Sequence, residues 1–193
     1  MIKVLLGLIL AFMFLITSGC SPVGVLASGG ATTMVVAEGD RSLGSVVDDT
    51  TIKINLSAKL LQTDSSLFIN INTNVIEGRV LLTGIVSTQE IRIEAVRKTW
   101  EVEGVKEIVN EIEIGDKTTL KEYTNDLWIN TQVKGLTAKT IGLRALSYNF
   151  ETIRGKVYVA GITSRPEQID DVIRVIKTVK GVKEIVNYVI IKE

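Results

Sequence analysis

The sequence predicts an α/β (α+β) fold in which one small domain, with two helices and three strands, occurs twice in tandem. The heptapeptide GVKEIVN spans Gly104–Asn110 and is repeated at Gly181–Asn187. Two further related segments, GRVLLTGIVS from Gly78 and GKVYVAGITS from Gly155, are separated by the same 77 residues. A constant offset without gaps over such long stretches indicates the internal duplication of one domain.

The first predicted element of each copy is a helix. In the first copy, Asp48 and Asp49 suit a helix N-terminus and precede Ile52, Leu56 and Leu60 at helical spacing. The second copy repeats this pattern, with Asn125 and Asp126 before Ile129, Val133 and Leu136.

A β-hairpin is predicted next. In the first copy, alternating residues 68–72 and the run 80–86 read as strands joined by a turn at Glu77-Gly78. In the second copy, the strands are 148–152 and 157–163, joined through Arg154-Gly155. Two-residue turns that contain glycine favour this connection.

A second helix and a third strand complete each copy. Pro166 suits a first helical turn, and the apolar face that follows consists of Ile169, Val172, Ile173, Ile176 and Val179. Gly181 ends this helix, and residues 185–191 then alternate as a strand. The repeated heptapeptide is thus interpreted as scaffold, and its lysine and glutamate as solvent-facing residues.

The composition excludes most kinds of active site. The chain of 193 residues has no histidine and one cysteine, Cys20. This excludes histidine acid–base chemistry, Cys–His nucleophilic sites, Cys/His zinc clusters and an intramolecular disulfide. We therefore expect a protein that is not an enzyme, with no catalytic residues, no metal site and no cofactor.

Charge is distributed unevenly along the chain. Residues 1–116 hold 9 basic and 14 acidic residues, a net charge of −5, whereas residues 117–193 hold 13 and 8, a net charge of +5. Such asymmetry suggests different partners for the two halves. Nucleic acid is not expected as a partner, because residues 1–19 have the layout of an export signal and aromatic residues are few.

Residues 1–19 have the layout of a secretory signal peptide: Lys3, an apolar run and small residues before Cys20. An uncleaved membrane anchor is disfavoured because the run is short. The segment resembles a bacterial lipoprotein signal, although Thr17 stands where leucine is usual. The resemblance implies acylation of Cys20, with chains such as palmitate. Because Ser21 is not aspartate, it also implies an anchor in the outer membrane that faces the periplasm.

The predicted boundaries follow from these patterns. Residues 20–47 are rich in Gly, Ser, Ala, Thr and Val and read as the lipidated N-terminus and a flexible linker. Residues 48–115 form the first domain, 116–124 an inter-domain linker and 125–193 the second domain. The sequence leaves open whether the two domains touch.

Both copies resemble the BON domain. The matching positions are Gly78, Val80, Leu82, Gly84, Gly104, Val105, Ile108 and Asn110, and then Gly155, Val157, Val159, Gly161, Gly181, Val182, Ile185 and Asn187. The resemblance implies an αββαβ unit with a three-stranded mixed sheet packed against two helices.

A lipidated cysteine, a linker and two such domains resemble the dual-BON outer-membrane lipoproteins. That resemblance implies binding of anionic phospholipid, such as phosphatidylglycerol or cardiolipin, through the first helix of the second domain, where an aromatic residue matches Trp128. It also implies a role in envelope integrity and links to cell division and to the outer-membrane protein assembly machinery.

Differences between the copies support a lipid site at Trp128, which replaces Thr51. With Ile129 facing the core, Trp128 lies about 100° round the helix. It shares a row there with Gln132, Gly135 and Lys139. The predicted phospholipid-binding residues are Trp128, Gln132, Lys134, Gly135, Lys139 and Arg144. From Trp128 to Phe150 there is no acidic residue.

Two alternatives remain open from the sequence. Trp128 could pack between the domains while the basic residues form a solvated face. Alternatively, the protein could be a periplasmic adaptor that docks on an envelope machine without direct lipid recognition.

Overall fold

The computed structural model describes residues 42–192. The predictions for the signal peptide 1–19, for Cys20 and for most of the segment 20–47 fall outside this part of the chain. Helix α1 spans Leu43–Thr63 and so begins inside the predicted linker. The Ser42 hydroxyl caps this helix by accepting a hydrogen bond from the Ser45 N–H at 3.1 Å. Within residues 42–192, no helix has the length and apolar character to cross a bilayer.

Each copy forms its own three-stranded mixed sheet. The first domain contains α1, α2 (Ser65–Asn70), β1 (Ile71–Ile76), β2 (Arg79–Val86), α3 (Gln89–Trp100) and β3 (Glu107–Ile114). The second contains α4 (Leu120–Ile141), a 3-10 helix (Gly142–Ser147), β4 (Tyr148–Ile153), β5 (Lys156–Thr163), α5 (Pro166–Thr178) and β6 (Glu184–Ile191).

The two sheets have the same topology and register. The central strand pairs antiparallel with the strand before it and parallel with the strand after it, in the orders β1-β2-β3 and β4-β5-β6. Ile71 lies opposite Gly84, and 77 residues later Tyr148 lies opposite Gly161. The predicted α/β fold with two tandem copies is confirmed.

The predicted strand at residues 68–72 is wrong for its first three residues, which belong to α2. Asp64 is the reason, because its carboxylate accepts the Ser66 N–H at 2.7 Å and caps a new helix. Strand β1 therefore begins only at Ile71. The equivalent segment of the second copy is the 3-10 helix.

The prediction that Asp49 and Asp126 lie at helix N-termini is also wrong, because both lie inside their helices. Helix α4 begins at Leu120, within the segment 116–124 predicted as a linker. A capping box fixes this start: the Thr119 N–H donates to the Glu122 carboxylate at 2.9 Å, and the Glu122 N–H donates to the Thr119 hydroxyl at 3.3 Å.

Each of these buried aspartates ties its helix to the hairpin turn below it. Asp49 accepts hydrogen bonds from the N–H groups of Glu77 and Gly78, both at 2.9 Å, and the equivalent bonds to Asp126 measure 2.6 and 2.8 Å. Glu77 and Gly78 have φ values of 55° and 80°. Positive φ at both turn residues is typical of a type I′ hairpin, which leaves two N–H groups for the aspartate to bind.

The helices cover one face of each sheet. In the first domain, Leu56 and Leu60 of α1 pack in one buried cluster with Val80 and Leu82 of β2. The second domain repeats this arrangement in a cluster that includes Ile129 of α4. Hydrophobic burial on this face fixes the orientation of the helices.

The other faces of the two sheets pack against each other. Ile76 and Leu81 of the first domain form one buried cluster with Tyr158, Ala160 and Ile162 of the second. The described part of the chain is therefore layered as helices, sheet, sheet and helices. The central strands are buried on both faces, which explains their nearly continuous apolar sequence.

Polar contacts across this interface are reciprocal. The Asn72 amide donates to the Glu151 carboxylate at 3.2 Å, and the Asn149 amide donates to the Asn74 side-chain oxygen at 3.4 Å. By the offset of 77, Asn149 corresponds to Asn72 and Glu151 to Asn74. Such an exchange is typical of approximate two-fold symmetry.

Candidate functional site

The repeated heptapeptide has the same structural role in both domains. Gly104 and Gly181 have φ values of 90° and 97°, and a Cβ on them would lie 3.0 and 3.1 Å from the side chains of Ile52 and Ile129. Only glycine combines this backbone with so close an approach to the first helix. The N–H of Lys106 donates to the Gly78 carbonyl at 2.9 Å, and Lys183 repeats this bond at 2.8 Å.

The core contacts of α4 determine which of its residues face solvent. Ile129 and Val133 are fully buried, and Leu136 packs beside them. Trp128 lies about 100° round the helix from Ile129 and is 48% exposed. It belongs neither to the second domain's buried cluster nor to the cluster between the sheets.

Three other predicted residues lie on the Trp128 side of α4. Gln132 is half-buried, and Lys139 is exposed in the last turn. A Cβ on Gly135 would meet nothing within 4 Å apart from the adjacent backbone of its own helix, so this stretch of the helix surface is open. In the structure, these residues therefore lie along one accessible side of α4, as helical spacing predicts.

Lys134 and Arg144 lie apart from that row. Lys134 is exposed on the other flank of α4, about 120° from Trp128. It lines a groove of about 160 Å³ between the domains, together with Asn72 and Glu151. Arg144 lies half-buried in the 3-10 helix that follows α4.

Sequence reasoning missed an uncharged crest along the outer face of α4. The crest consists of residues within about 80° of arc: Leu120, Thr124, Leu127, Thr131, Gly135 and Ala138. Leu120 is 78% exposed and Leu127 55% exposed. The Thr131 hydroxyl donates to the Leu127 carbonyl at 2.8 Å, which satisfies its polar group within the helix. The spacing of seven between the leucines was the available signal, but the predicted helix began too late to include Leu120.

Lysines border this crest on both sides. Lys121 and Lys139 lie on the side of Trp128, and Lys134 lies on the opposite side. A tryptophan at the edge of an uncharged face, with cations on both sides, suits shallow contact with the headgroup region of an anionic bilayer.

Helix α1 of the first domain provides an internal comparison. It also has an exposed apolar stripe, formed by Val47, Ile54 and Leu61. The positions equivalent to the three bordering lysines are Gly44, Ser57 and Gln62, and Thr51 replaces Trp128. The two helices therefore share an uncharged outer face but differ in the cations and in the aromatic residue. They also differ along that face, because Val47, Ile54 and Leu61 of α1 correspond to Thr124, Thr131 and Ala138 of α4.

A cleft of about 620 Å³ lies between α4 and the first domain. Ile69, Leu120 and Tyr123 contribute apolar surface to it, and Glu151 lines its wall. Burial raises the pKa of Glu151 above its ordinary value, with the Lys134 charge acting in the opposite direction. Among residues 42–192, no group of three or more His, Cys, Asp or Glu side chains could hold a metal ion.

Comparison with known proteins identifies both units. The model of the BON domain family matches residues 48–116 and 125–193, which together make up more than half of the chain. Each range covers one structural repeat except for the first five residues of its first helix.

Three curated proteins are similar to most of the chain. An uncharacterised protein of Anaplasma centrale is 39% identical over 147 residues, which cover 76% of this chain and 96% of that protein. The outer membrane lipoprotein DolP of Haemophilus influenzae is 27% identical over 187 residues, covering 96% and 92%. A 21 kDa hemolysin of Actinobacillus pleuropneumoniae is 32% identical over 154 residues, covering 77% and 78%.

Proposed function

This chain belongs to the BON domain family, and from that premise we propose that it is an outer-membrane lipoprotein that binds anionic phospholipid through α4. The resemblance to an outer membrane lipoprotein extends over 96% of the chain and supports the location. Acylation of Cys20 would supply the anchor, and periplasm-facing domains would support envelope integrity. Links to cell division and to the outer-membrane protein assembly machinery belong to the same proposal.

The observation that carries the lipid proposal is the crest of α4 with Trp128 and its bordering lysines. A tryptophan ring is favoured at headgroup depth, where its apolar body and polar N–H both find suitable surroundings. Each lysine near an anionic leaflet contributes about 1 kcal/mol. Lys121, Lys134 and Lys139 would therefore favour anionic over zwitterionic bilayers.

An anchor at Cys20 makes this weak contact effective. Only 22 residues separate Cys20 from the start of α1. Binding of α4 to the same bilayer then becomes an intramolecular event with a high effective concentration.

Vesicle binding of residues 21–193 tests the proposal. We expect binding to vesicles that contain phosphatidylglycerol or cardiolipin, weak binding to phosphatidylcholine, and loss of binding in Trp128→Glu. Thr51→Glu is the matched control, because it places the same charge at the equivalent position of α1 and should leave binding unchanged. Equal binding to both lipid classes, or full binding by Trp128→Glu, would refute the proposal.

A second candidate function is that of a periplasmic adaptor for an envelope machine. The exposed stripe Val47, Ile54 and Leu61 favours it, because a spacing of seven suits packing against a partner helix. A partner captured equally by wild type and Trp128→Glu, but lost in Ile54→Glu, would support this function.

A further inference from the structure

The first domain has a groove, and the charges of its lining residues differ from those at the equivalent positions of the second domain. The groove has a volume of about 270 Å³ and lies between α1, the hairpin turn and the loop before β3. Ser45, Thr51 and Glu103 are among its lining residues. Thr51 and Glu103 therefore border the same space.

The second domain has the same backbone at the equivalent place. All strand pairings recur with the offset of 77, and Gly181 approaches Ile129 as Gly104 approaches Ile52. The position of Thr51 is occupied by Trp128. Trp128 therefore lies beside the loop between α5 and β6, with Lys180 at the position of Glu103.

The ionic character of this surface is reversed. In the first domain it carries four acidic residues and one lysine: Asp48, Asp49, Glu77, Glu103 and Lys106. The same positions in the second domain carry Asn125, Asp126, Arg154, Lys180 and Lys183, and Ser45 is replaced by Glu122. The formal charge therefore changes from −3 to +1.

The two acidic residues that remain are engaged within the protein. Asp126 binds the N–H groups of the hairpin turn, and Glu122 completes the capping box and lies 3.5 Å from Arg154. Lys180 and Lys183 are both exposed. Among residues 42–192, neither ammonium group lies within 4.0 Å of a carboxylate.

We propose that Lys180 and Lys183 bind the phosphate groups of anionic phospholipids in the bilayer that Trp128 contacts. This inference rests on the proposed lipid binding by α4 and extends it to a second element, the loop between α5 and β6. The N–H of Lys183 donates to the Gly155 carbonyl at 2.8 Å, which fixes the backbone of Lys183 beside the hairpin turn. Two ammonium groups beside an interfacial indole complement the phosphodiester charge at the depth where the ring lies. The second heptapeptide is thus scaffold through Gly181 and binds lipid through Lys183.

The first domain supplies the matched control. Lys106 occupies the position of Lys183 in the same heptapeptide, but its groove is acidic and has no aromatic residue. Charge reversal at Lys183 should therefore weaken lipid binding, whereas the same change at Lys106 should not.

The experiment measures binding of residues 21–193 to phosphatidylcholine vesicles with and without phosphatidylglycerol. We expect the double variant Lys180→Glu/Lys183→Glu to lose affinity for the anionic vesicles by roughly tenfold or more. Lys106→Glu should bind as wild type does. Lys180→Gln/Lys183→Gln, which adds no negative charge, should show a smaller loss and a weaker dependence on salt. The circular dichroism melting curves of both double variants should match that of wild type.

The outcomes separate this inference from the proposed function. Full binding by Lys180→Glu/Lys183→Glu, with loss in Trp128→Glu, would overturn the inference and leave lipid binding by α4 intact. Full binding by both variants would refute the proposed function itself. Displacement from vesicles by millimolar glycerol phosphate would overturn the inference in favour of a site for soluble anions. An equal loss in Lys106→Glu would overturn it in favour of a general charge effect.

Discussion

The hydroxyl of Tyr188 donates a hydrogen bond to the carboxylate of Glu111, and these two residues occupy the same position in the two copies. A contact between equivalent positions lies near the axis that relates the domains. Leu81 and Tyr158, also 77 residues apart, share the cluster between the sheets. The tandem domains therefore pack like the two subunits of an isologous dimer joined in one chain.

This contact predicts a loss of stability at alkaline pH. Burial, together with the Glu111 carboxylate, raises the pKa of Tyr188 to about 12. An unfolded chain titrates its tyrosines near 10, so the folded protein retains this proton at higher pH. The contribution to the free energy of unfolding is complete below about pH 10 and is lost as pH rises through about 12.

Ultraviolet titration of tyrosinate absorbance, with Tyr188→Phe to identify the group, checks this prediction. Glu111→Gln should shift the Tyr188 transition to lower pH. A Tyr188 transition near pH 10 in the wild-type protein would contradict this part-buried hydrogen bond.

Glu151 predicts a pH effect at the acidic end. Because burial raises its pKa, the folded state binds this proton more tightly than the unfolded state does. The free energy of unfolding therefore falls as pH rises from the ordinary glutamate value, about 4.3, through the raised one. Glu151→Gln keeps an oxygen for the Asn72 amide and should raise the free energy of unfolding at pH 7. Urea unfolding measures the gain in the free energy of unfolding, which should be smaller at pH 4 than at pH 7. A gain independent of pH would argue against the burial of a charged carboxylate.

Much of the fold could be predicted from the sequence because the duplication confirms each pattern twice. Ile129 and Val133 recur at helical spacing and are buried as expected. The sheet–sheet contact could not be predicted, because an apolar residue such as Leu81 on a central strand does not identify the surface that buries it. The aspartates were misread for a related reason: Asp126 binds backbone groups 28 and 29 residues away, and local propensity contains no information about such partners.

The candidate site was predictable in part. Helical spacing placed Trp128, Gln132, Gly135 and Lys139 on one accessible row, which the structure retains. The neighbouring Lys180 lies 52 positions from Trp128, and only the sheet register brings its loop beside α4.

The hydrogen bonds from Asp49 and Asp126 to the hairpin turns predict a large loss of stability when either aspartate is replaced. Asn in place of Asp126 has one acceptor oxygen for two N–H donors and turns its own N–H₂ group toward one of them. We expect Asp126→Asn to lower the free energy of unfolding by about 2–3 kcal/mol, and Asp49→Asn by a similar amount. Asp48→Asn is the control, since Asp48 is exposed and should change stability little. Chemical denaturation measures all three; a neutral Asp126→Asn would show that the tie does not stabilise the hairpin.

The comparison of α1 with α4 leads to a test by transplantation. If the cations and the tryptophan make α4 a lipid-binding helix, moving them to α1 should create a second binding face. The substitutions are Gly44→Lys, Thr51→Trp, Ser57→Lys and Gln62→Lys, at the positions equivalent to Lys121, Trp128, Lys134 and Lys139.

Three of these four positions are exposed, and the fourth, Ser57, is half-buried. Thr51 and Gln62 are exposed, and a Cβ on Gly44 would meet only the Ser42 hydroxyl, at 4.0 Å. The apolar crest that the new residues would border is already present as Val47, Ile54 and Leu61.

The transplant is best measured in the Trp128→Glu background, where α4 should no longer bind. We expect the four substitutions to restore binding to phosphatidylglycerol vesicles, with an affinity that falls as salt is raised, because each added lysine contributes about 1 kcal/mol through screened charge. The three lysine substitutions without Thr51→Trp should restore less, since they lack the interfacial ring. A folded quadruple variant that fails to bind would show that the crest and its cations do not suffice. The loop that carries Lys180 would then be required as well, since the equivalent loop beside α1 carries the acidic residue Glu103.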